Sequence, residues 1–245
     1  MLYLAFIKRQ KDMVAVISGA SKGIGFAIAQ KFVSLGMHVA ICARNLAELQ
    51  VAKERLQTFH ADSCILIGAY DLTKQSESEE FARQVLDTFG AIDILVNNAG
   101  KFIPGDIISE PDGVLESLVE TNLYSAYYLT RALLPSMLKR KKGHIFNISS
   151  VAALKEYEHG GSYSISKYAL QGFSKNLRHE LMSYDIKVTT INPGATYSDS
   201  WKGSGVAEDR IMKVEDIADT IWGVYQLSPQ AVVEDIVLRP LKGDV

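Results

Sequence analysis

Short apolar runs alternate along the chain with longer segments in which apolar residues recur every three or four positions. The runs are β-branched and nearly continuous, as is typical of parallel strands covered on both faces. They are "MVAVIS" (13–18), "HVAICA" (38–43), "CILIGA" (64–69), "DILVNN" (93–98), "HIFNIS" (144–149), "KVTTIN" (187–192) and "EDIVLR" (234–239). Helical patterns occupy 23–35, 45–59, 76–89, 112–140, 161–183 and 215–226. This alternation predicts an α/β fold, a doubly wound parallel sheet of about seven strands with helices on both faces.

No linker rich in Pro, Gly or Ser divides this pattern, so we expect a single domain over residues 13–245. Residues 1–12 form an extension ahead of the first strand. Its apolar stretch, Met1 to Ile7, precedes the basic residues, whereas a signal peptide has the opposite order and a longer apolar run. It is also far shorter than the roughly 20 apolar residues of a membrane span. We therefore expect a cytoplasmic protein with no membrane partner.

Composition narrows the classes of partner. The 245 residues carry a formal net charge of −2, which gives no reason to expect nucleic acid or an anionic membrane. Only two cysteines occur, Cys42 and Cys64, each inside an apolar run. They indicate buried thiols in a reducing compartment, with neither a disulfide framework nor the spacing of a metal site. We expect no bound metal.

A glycine-rich turn, "SGASKGIG" (18–25), joins the first strand to the first helix. Gly19 permits a tight turn, Gly23 lets a pyrophosphate approach the backbone, and Gly25 lets helix and sheet pack closely. Anionic oxygens can then bind the N–H groups at the start of the helix. The alternative is a plain βα turn, but the strand–turn–helix context favours dinucleotide binding. The predicted contacts are Gly19, Ser21, Lys22, Gly23, Ile24 and Gly25.

The spacing of these glycines resembles the short-chain dehydrogenase/reductase family, whose pattern is T-G-x-x-x-G-x-G. Ser18 replaces the threonine but keeps the hydroxyl group. Other landmarks of that family follow in order: "DLT" (71–73), "NNAG" (97–100), "TNL" (121–123), "NISS" (147–150), "YSISK" (163–167) and "INPGAT" (191–196). The resemblance covers about residues 12–240. It implies a Rossmann-type fold and an NAD(P)-dependent enzyme that acts on CH–OH and C=O groups.

In "YSISK", Tyr163 and Lys167 are four residues apart, which is one helical turn. A free tyrosine ionises near pH 10, so proton exchange near neutrality requires a pKa that is lower by about 2–3 units. A cation one turn away, in a site shielded from water, favours the phenolate. We therefore expect Lys167 to lower the pKa of Tyr163 and make it an acid/base. Tyr70 and Lys74 show the same spacing at the end of a strand, and we interpret that pair as coincidence.

The resemblance implies the remaining catalytic and coenzyme-binding residues. Ser150, thirteen positions before the tyrosine, polarises the substrate carbonyl. Asn122 holds a water that relays protons to Lys167, which also bonds the nicotinamide ribose. Asp71 and Leu72 flank the adenine. The backbone at Asn97, Asn98, Ala99 and Gly100 passes close to the adenosine. Thr196, after the turn at Pro193 and Gly194, binds the nicotinamide amide or a phosphate.

The second strand ends in "CARN", with Arg44 and no carboxylate to bind the 2′-hydroxyl of NAD. Arg44, with Lys22 nearby, would instead bind a 2′-phosphate through charge-assisted hydrogen bonds. The alternative is that Arg44 only solvates the start of the next helix. We therefore predict NADP (NADPH) as the coenzyme, with NAD less favoured.

Two classes of function remain. The first is a carbonyl reductase or alcohol dehydrogenase, with a 3-oxoacyl-thioester (acyl-carrier-protein) reductase as the alternative substrate class. The second is a non-catalytic NADP sensor or scaffold, although the catalytic positions are all filled. The substrate is a small molecule that the sequence does not identify. Residues 195–212 are predicted to form a lid over it, 101–113 another wall, and family resemblance predicts a homodimer or homotetramer.

Overall fold

Seven parallel strands form the sheet of this computed structural model, which describes residues 12–198 and 205–244. The strands are β1 (Val14–Ser18), β2 (His38–Ala43), β3 (Ile65–Ala69), β4 (Ile94–Asn97), β5 (Gly143–Ile148), β6 (Ile186–Pro193) and β7 (Asp235–Leu238). Their order is β3-β2-β1-β4-β5-β6-β7. The chain reverses direction across the sheet between β1 and β4, and ligands of such sheets bind outside the carboxyl ends of the strands at that point.

The helices follow the strands in the predicted alternation. They are α1 (Gly23–Ser34), α2 (Leu46–Gln57), α3 (Gln75–Phe89), α4 (Val114–Val119), α5 (Ser125–Arg140), α6 (Gly161–Leu181) and α7 (Val214–Tyr225). The predicted fold class is confirmed. One helical pattern, 112–140, was expected to be a single helix, but a π-helical turn, Glu120–Tyr124, separates α4 from α5. The predicted extension, apart from Asp12, lies outside the described residues.

Both faces of the sheet are buried, which explains why the strand sequences do not alternate between apolar and polar residues. In β1, Ala15 and Ile17 join a cluster formed with α1, α2 and α7. Val14 and Val16 point to the other face and pack with α3, α5 and α6. Because side chains on a strand point alternately to opposite faces, a strand between two helical layers needs an apolar residue at every position.

At the amino-terminal edge of the sheet, the buried carboxylate of Asp93 joins three segments. It accepts hydrogen bonds from the Val14 backbone N–H (3.1 Å), Arg140 Nη2 (2.8 Å) and Lys142 Nζ (2.8 Å). Burial raises the pKa of Asp93, but the bonds from Lys142, Val14 and Arg140 outweigh that effect and hold the pKa below its ordinary value. Two of the basic residues of "KRKK" (139–142) therefore hold α5 and β5 against β4.

We predict that Asp93→Asn destabilises the fold by about 2 kcal/mol at pH 7, because the buried carboxylate loses its charge interactions with Arg140 and Lys142. The loss is limited because both cations are partly exposed and solvent screens the two ion pairs. The lowered pKa means that this stabilisation is complete above the unfolded-state value near 4 and is lost as the pH falls below it. Urea unfolding from pH 7 to pH 3 measures the difference between wild type and variant. Glu80→Gln, which removes an exposed partner of Arg83, is the control and should change little. An equal effect of both variants would contradict the prediction.

Candidate active site

A cavity of about 850 Å³ lies along the carboxyl ends of the strands. Its walls include every predicted coenzyme contact except Gly25 and Asn97, namely Gly19, Ser21, Lys22, Gly23, Ile24, Arg44, Asp71, Leu72, Asn98, Ala99, Gly100, Tyr163, Lys167, Pro193, Gly194 and Thr196. Ser150 also lines it. Asn122 does not, and neither does Asn97, whose side chain is buried between β4 and β5. Residues distant in sequence thus meet in one cleft at the edge where the sheet order reverses.

The glycine loop has the conformation that a phosphate-binding turn requires. Gly19 and Gly23 have φ angles of +64° and +59°, a region that residues with a Cβ rarely adopt. Gly25 packs instead of lining the cavity, since a Cβ there would lie 2.5 Å from Asn98 Nδ2 and from the Gly19 carbonyl oxygen. The first turn of α1 holds no acidic residue. Its N–H groups and positive dipole end therefore suit an anionic phosphate.

The hydroxyl of Ser18 fixes the glycine loop to the end of β4. Its Oγ accepts hydrogen bonds from the backbone N–H groups of Asn98 (3.0 Å) and Ala99 (2.9 Å). In return, Asn98 Nδ2 donates to the carbonyl oxygens of Ser18 (3.0 Å) and Gly19 (2.9 Å). Because either Ser or Thr supplies the hydroxyl, the exchange at position 18 keeps this connection.

Tyr163 and Lys167 lie one turn apart on α6, and Ser150 follows β5. The hydroxyl group of Ser150 lies close enough to Tyr163 to act on the pKa of the phenol, which it lowers. Ser149, the neighbouring serine, instead donates to the Lys167 backbone carbonyl at 3.4 Å. The Lys167 Nζ lies 5.8 Å from the centre of the Tyr163 ring and donates to the Ile148 carbonyl oxygen at 3.0 Å. By contrast, Lys74 pairs with Glu77 rather than with Tyr70.

The expected lowering of the pKa of Tyr163 is wrong for the protein groups alone. Burial raises the pKa of this phenol to about 12, although the hydroxyl group of Ser150 acts in the opposite direction. Burial also lowers the pKa of Lys167 to about 8. Desolvation disfavours the charged form of each group and outweighs their mutual attraction across the distance observed. Tyr163 is therefore a neutral phenol at pH 7 in this structure, and its phenolate needs a further positive charge nearby.

The π-helical turn places Asn122 beneath the cavity. Its Oδ1 accepts from the Lys101 backbone N–H (2.8 Å), and its Nδ2 donates to the Lys101 carbonyl (3.1 Å) and to Ser166 Oγ (2.9 Å). A Cβ at Gly100 would lie 3.1 Å from Asn122 Oδ1 and 3.5 Å from Lys167 Nζ, so these polar atoms flank the same point. Irregular π turns in helices are frequent at functional sites.

Sequence reasoning did not single out several residues that line the cavity. The ring of Phe102 meets the ring of Tyr163 edge to face, with centroids 4.8 Å apart, and Tyr157 is half-buried nearby. At the opposite end, Glu48 in the first turn of α2 contacts Ser21 and Lys22. The apolar runs and motifs contain no signal for these contacts, because each joins segments that are far apart in the chain.

The predicted lid is described only in part. Its backbone pairs at Thr196 with Met212, and the Tyr197 N–H donates to the Met212 carbonyl at 2.7 Å. Residues 199–204 lie outside the described residues. Within 12–198 and 205–244, no cluster of three or more His, Cys, Asp or Glu is placed to hold a metal ion. No helix in those ranges is long and apolar enough to cross a membrane.

Comparison with known proteins agrees with this geometry. The family model "short chain dehydrogenase" matches residues 13–208. The chain belongs to the short-chain dehydrogenase/reductase family. It is therefore an oxidoreductase of the NAD(P)-dependent dehydrogenase/reductase type.

Individual proteins in this family resemble the chain over nearly its whole length. It is 31% identical to an uncharacterised oxidoreductase of Staphylococcus epidermidis, over 94% of this chain and 98% of the relative. An alcohol dehydrogenase from Thermococcus sibiricus, complexed with 5-hydroxy-NADP, superposes with a TM-score of 0.87 at 26% identity, over 95% and 98% of the two chains. A metagenomic short-chain oxidoreductase in complex with NADP gives 0.81 at 32% identity, over 94% and 97%.

We predict that Gly25→Ala destabilises the protein by about 2 kcal/mol, because the new methyl group would overlap Asn98 and the Gly19 carbonyl. It should also weaken NAD(P)H binding by displacing the glycine loop. Urea unfolding and fluorescence titration measure the two effects. Gly223→Ala is the matched control, since it also lies in a helix and a Cβ there meets nothing within 4 Å. The control should be neutral or stabilising, and similar losses in the two variants would contradict the packing role of Gly25.

Proposed function

We propose that the protein is an NADP-dependent oxidoreductase that interconverts a carbonyl compound and the corresponding secondary alcohol. The observation that carries this proposal is the placement of Ser150, Tyr163 and Lys167 together in the same cleft as the glycine loop, with the lysine ammonium 5.8 Å from the centre of the phenol ring. A protonated phenol beside a coenzyme cleft is the group needed to protonate an alkoxide as it forms.

The residues of the cleft fit a dinucleotide. The start of α1 and the glycine loop would hold the pyrophosphate, and Asp71 with Leu72 would bind the adenine. Asn98, Ala99 and Gly100 would let the adenosine half approach the backbone. Pro193, Gly194 and Thr196 line the other end, where the nicotinamide would lie beside Lys167. The bound nicotinamide would supply the hydride, or accept it in the reverse direction.

The protein side chains would handle the proton and the substrate oxygen. Ser150 orients the carbonyl oxygen by donating a hydrogen bond, and Tyr163 donates its phenolic proton to that oxygen as the carbon is reduced. The positive charge of Lys167 limits the cost of the resulting phenolate. In the oxidative direction, the phenolate removes the proton of the alcohol. This use of one residue as both acid and base follows from microscopic reversibility.

Asn122 would act through Lys167 and not on the substrate. The amide of Asn122 is held by the Lys101 backbone and by Ser166, so its orientation is fixed. The gap between Asn122 Oδ1 and Lys167 Nζ at Gly100 is where a water would relay a proton from solvent to the lysine. Return of the proton to Tyr163 through Lys167 would complete the cycle.

A preference for NADP is supported by the charges at the adenosine end. Arg44 and Lys22 both line the cavity, and the β2 strand ends without a carboxylate. A 2′-phosphate beside them would receive charge-assisted hydrogen bonds. Both solved relatives described above are complexes with NADP or 5-hydroxy-NADP.

Two alternatives concern the substrate and the class of function. A 3-oxoacyl thioester reductase would use the same catalytic groups, so only the substrate differs. A non-catalytic sensor would bind the coenzyme without turnover. NADPH oxidation followed by absorbance with ketones, aldehydes and β-ketoacyl thioesters distinguishes all three. No turnover with any of these compounds would favour the sensor.

The prediction that the chain is a single cytoplasmic domain and a homo-oligomer stays a prediction. An interface between subunits is supported by exposed apolar side chains on two helices. They are Leu115 on α4, and Ile165 and Tyr168 on α6. The lid over 195–212 likewise remains proposed, because its centre lies outside the described residues. Light scattering on the purified protein would determine the oligomeric state.

We predict that Tyr163→Phe lowers turnover by about 10³-fold, because phenylalanine has no proton to donate. NADPH binding should change less than threefold, since the ring and its contact with Phe102 are retained. Steady-state kinetics and fluorescence titration measure the two effects. Tyr168→Phe, an exposed tyrosine on the same helix, is the control and should leave turnover unchanged. Turnover that survives Tyr163→Phe would rule out the proposed mechanism.

We also predict that Arg44→Asp lowers the preference for NADPH over NADH by about 10- to 100-fold, since a charge-assisted bond is replaced by repulsion. The ratio of kcat/KM values for the two coenzymes is the measurement. Lys139→Asp, at the opposite edge of the sheet, makes the same charge change outside the cavity and should leave the ratio unaltered. An unchanged ratio in Arg44→Asp would contradict the role of Arg44.

A further inference from the structure

The adenosine end of the cavity contains a carboxylate that the strand β2 does not supply. Glu48 lines the cavity from the first turn of α2. Its Oε2 accepts a hydrogen bond from Ser21 Oγ at 3.0 Å, and its Oε1 lies 3.7 Å from Lys22 Nζ. Both partners belong to the glycine loop. Glu48 therefore connects the start of α2 to the phosphate-binding loop of α1.

The backbone of Glu48 is itself held in place. Its N–H donates to Asn45 Oδ1 at 3.2 Å, so Asn45 caps the helix one residue after Arg44. The carboxylate is thus presented to the glycine loop from a helix terminus of defined geometry. The side chain of Glu48 is 43% exposed, so solvent weakens its interaction with Lys22 but does not remove it.

A phosphate and a carboxylate seek the same donors. Lys22 is one of the two cations assigned above to the 2′-phosphate, and in this structure Glu48 lies beside it. A phosphate that binds there competes with Glu48 for Lys22 and Ser21, and it is repelled by the carboxylate. Without a 2′-phosphate, the contacts of Glu48 can persist, and the carboxylate can accept a hydrogen bond from a ribose hydroxyl.

We propose that Glu48 sets the coenzyme selectivity of the cleft, weakening NADP(H) binding and permitting NAD(H) to bind at the same site. The proposal rests on the function proposed above, because it presumes that the cleft holds a nicotinamide coenzyme. It adds a residue that opposes Arg44. The cleft then accepts both coenzymes, and its preference is the balance between the cations on one side and Glu48 on the other.

Glu48→Gln tests the proposal, since the amide can still accept from Ser21 but carries no charge. The probes are adenosine 2′,5′-bisphosphate and adenosine 5′-monophosphate, titrated calorimetrically into the full chain at low ionic strength. We expect Glu48→Gln to bind the bisphosphate 5- to 20-fold more tightly, with a change below threefold for the monophosphate. The gain should shrink at high salt, because it is electrostatic. With NADPH, KM should fall while kcat stays unchanged.

Glu54→Gln is the matched control, because it removes the same charge from the same helix at an exposed position that does not line the cavity. Thermal unfolding of both variants checks that the fold is retained. Equal bisphosphate affinities in wild type, Glu48→Gln and Glu54→Gln would overturn the inference about Glu48 alone, provided that wild type binds and oxidises NADPH. A wild-type protein that binds neither nucleotide nor either coenzyme would overturn the proposed function, and this inference with it.

Discussion

The proposed catalytic arrangement depends on a desolvated ammonium group. Lys167 is 5% exposed, and its Nζ donates to the carbonyl oxygen of Ile148 at the end of β5. Burial lowers the pKa of Lys167 to about 8, so the amine is still mostly protonated at pH 7. The same burial raises the pKa of Tyr163 to about 12. One desolvated environment thus keeps the phenol protonated and makes any positive charge close to it unusually effective.

This result changes how the Tyr-x-x-x-Lys spacing should be interpreted. The spacing alone suggested that the lysine lowers the pKa of the tyrosine, but Lys167 bonds the backbone and lies 5.8 Å from the centre of the phenol ring. In the proposed reaction, a bound oxidised nicotinamide would supply a further positive charge, and Tyr163 would then lose its proton more readily. Proton transfer would then be coupled to the oxidation state of the coenzyme. Such coupling keeps the acid form ready for reduction and the base form ready for oxidation.

The fold could be predicted from sequence because its signals are local. Observed strand limits differ from the predicted ones by at most one residue, and those of β2 are identical, since a strand buried on both faces must be apolar throughout. Site residues that belong to sequence motifs, such as Gly19 and Tyr163, could also be predicted from local sequence. Glu48 and Phe102 were not, because their contacts join segments whose approach is determined only when the sheet assembles. The π-helical turn at Asn122 was also not predicted, because its sequence is compatible with a regular α-helix.

The position of α6, and hence of Tyr163 and Lys167, is fixed by a buried polar network as well as by apolar packing. Asn97 on β4 donates to Asn147 on β5 and to Thr130 on α5, each at 2.8 Å. Asn147 in turn donates to Ser174 on α6, also at 2.8 Å. Apolar side chains can pack in several registers, but buried amides lose much of their energy when a partner moves. The network therefore holds α6 in one register against β4 and β5, whose carboxyl ends contribute to the cleft.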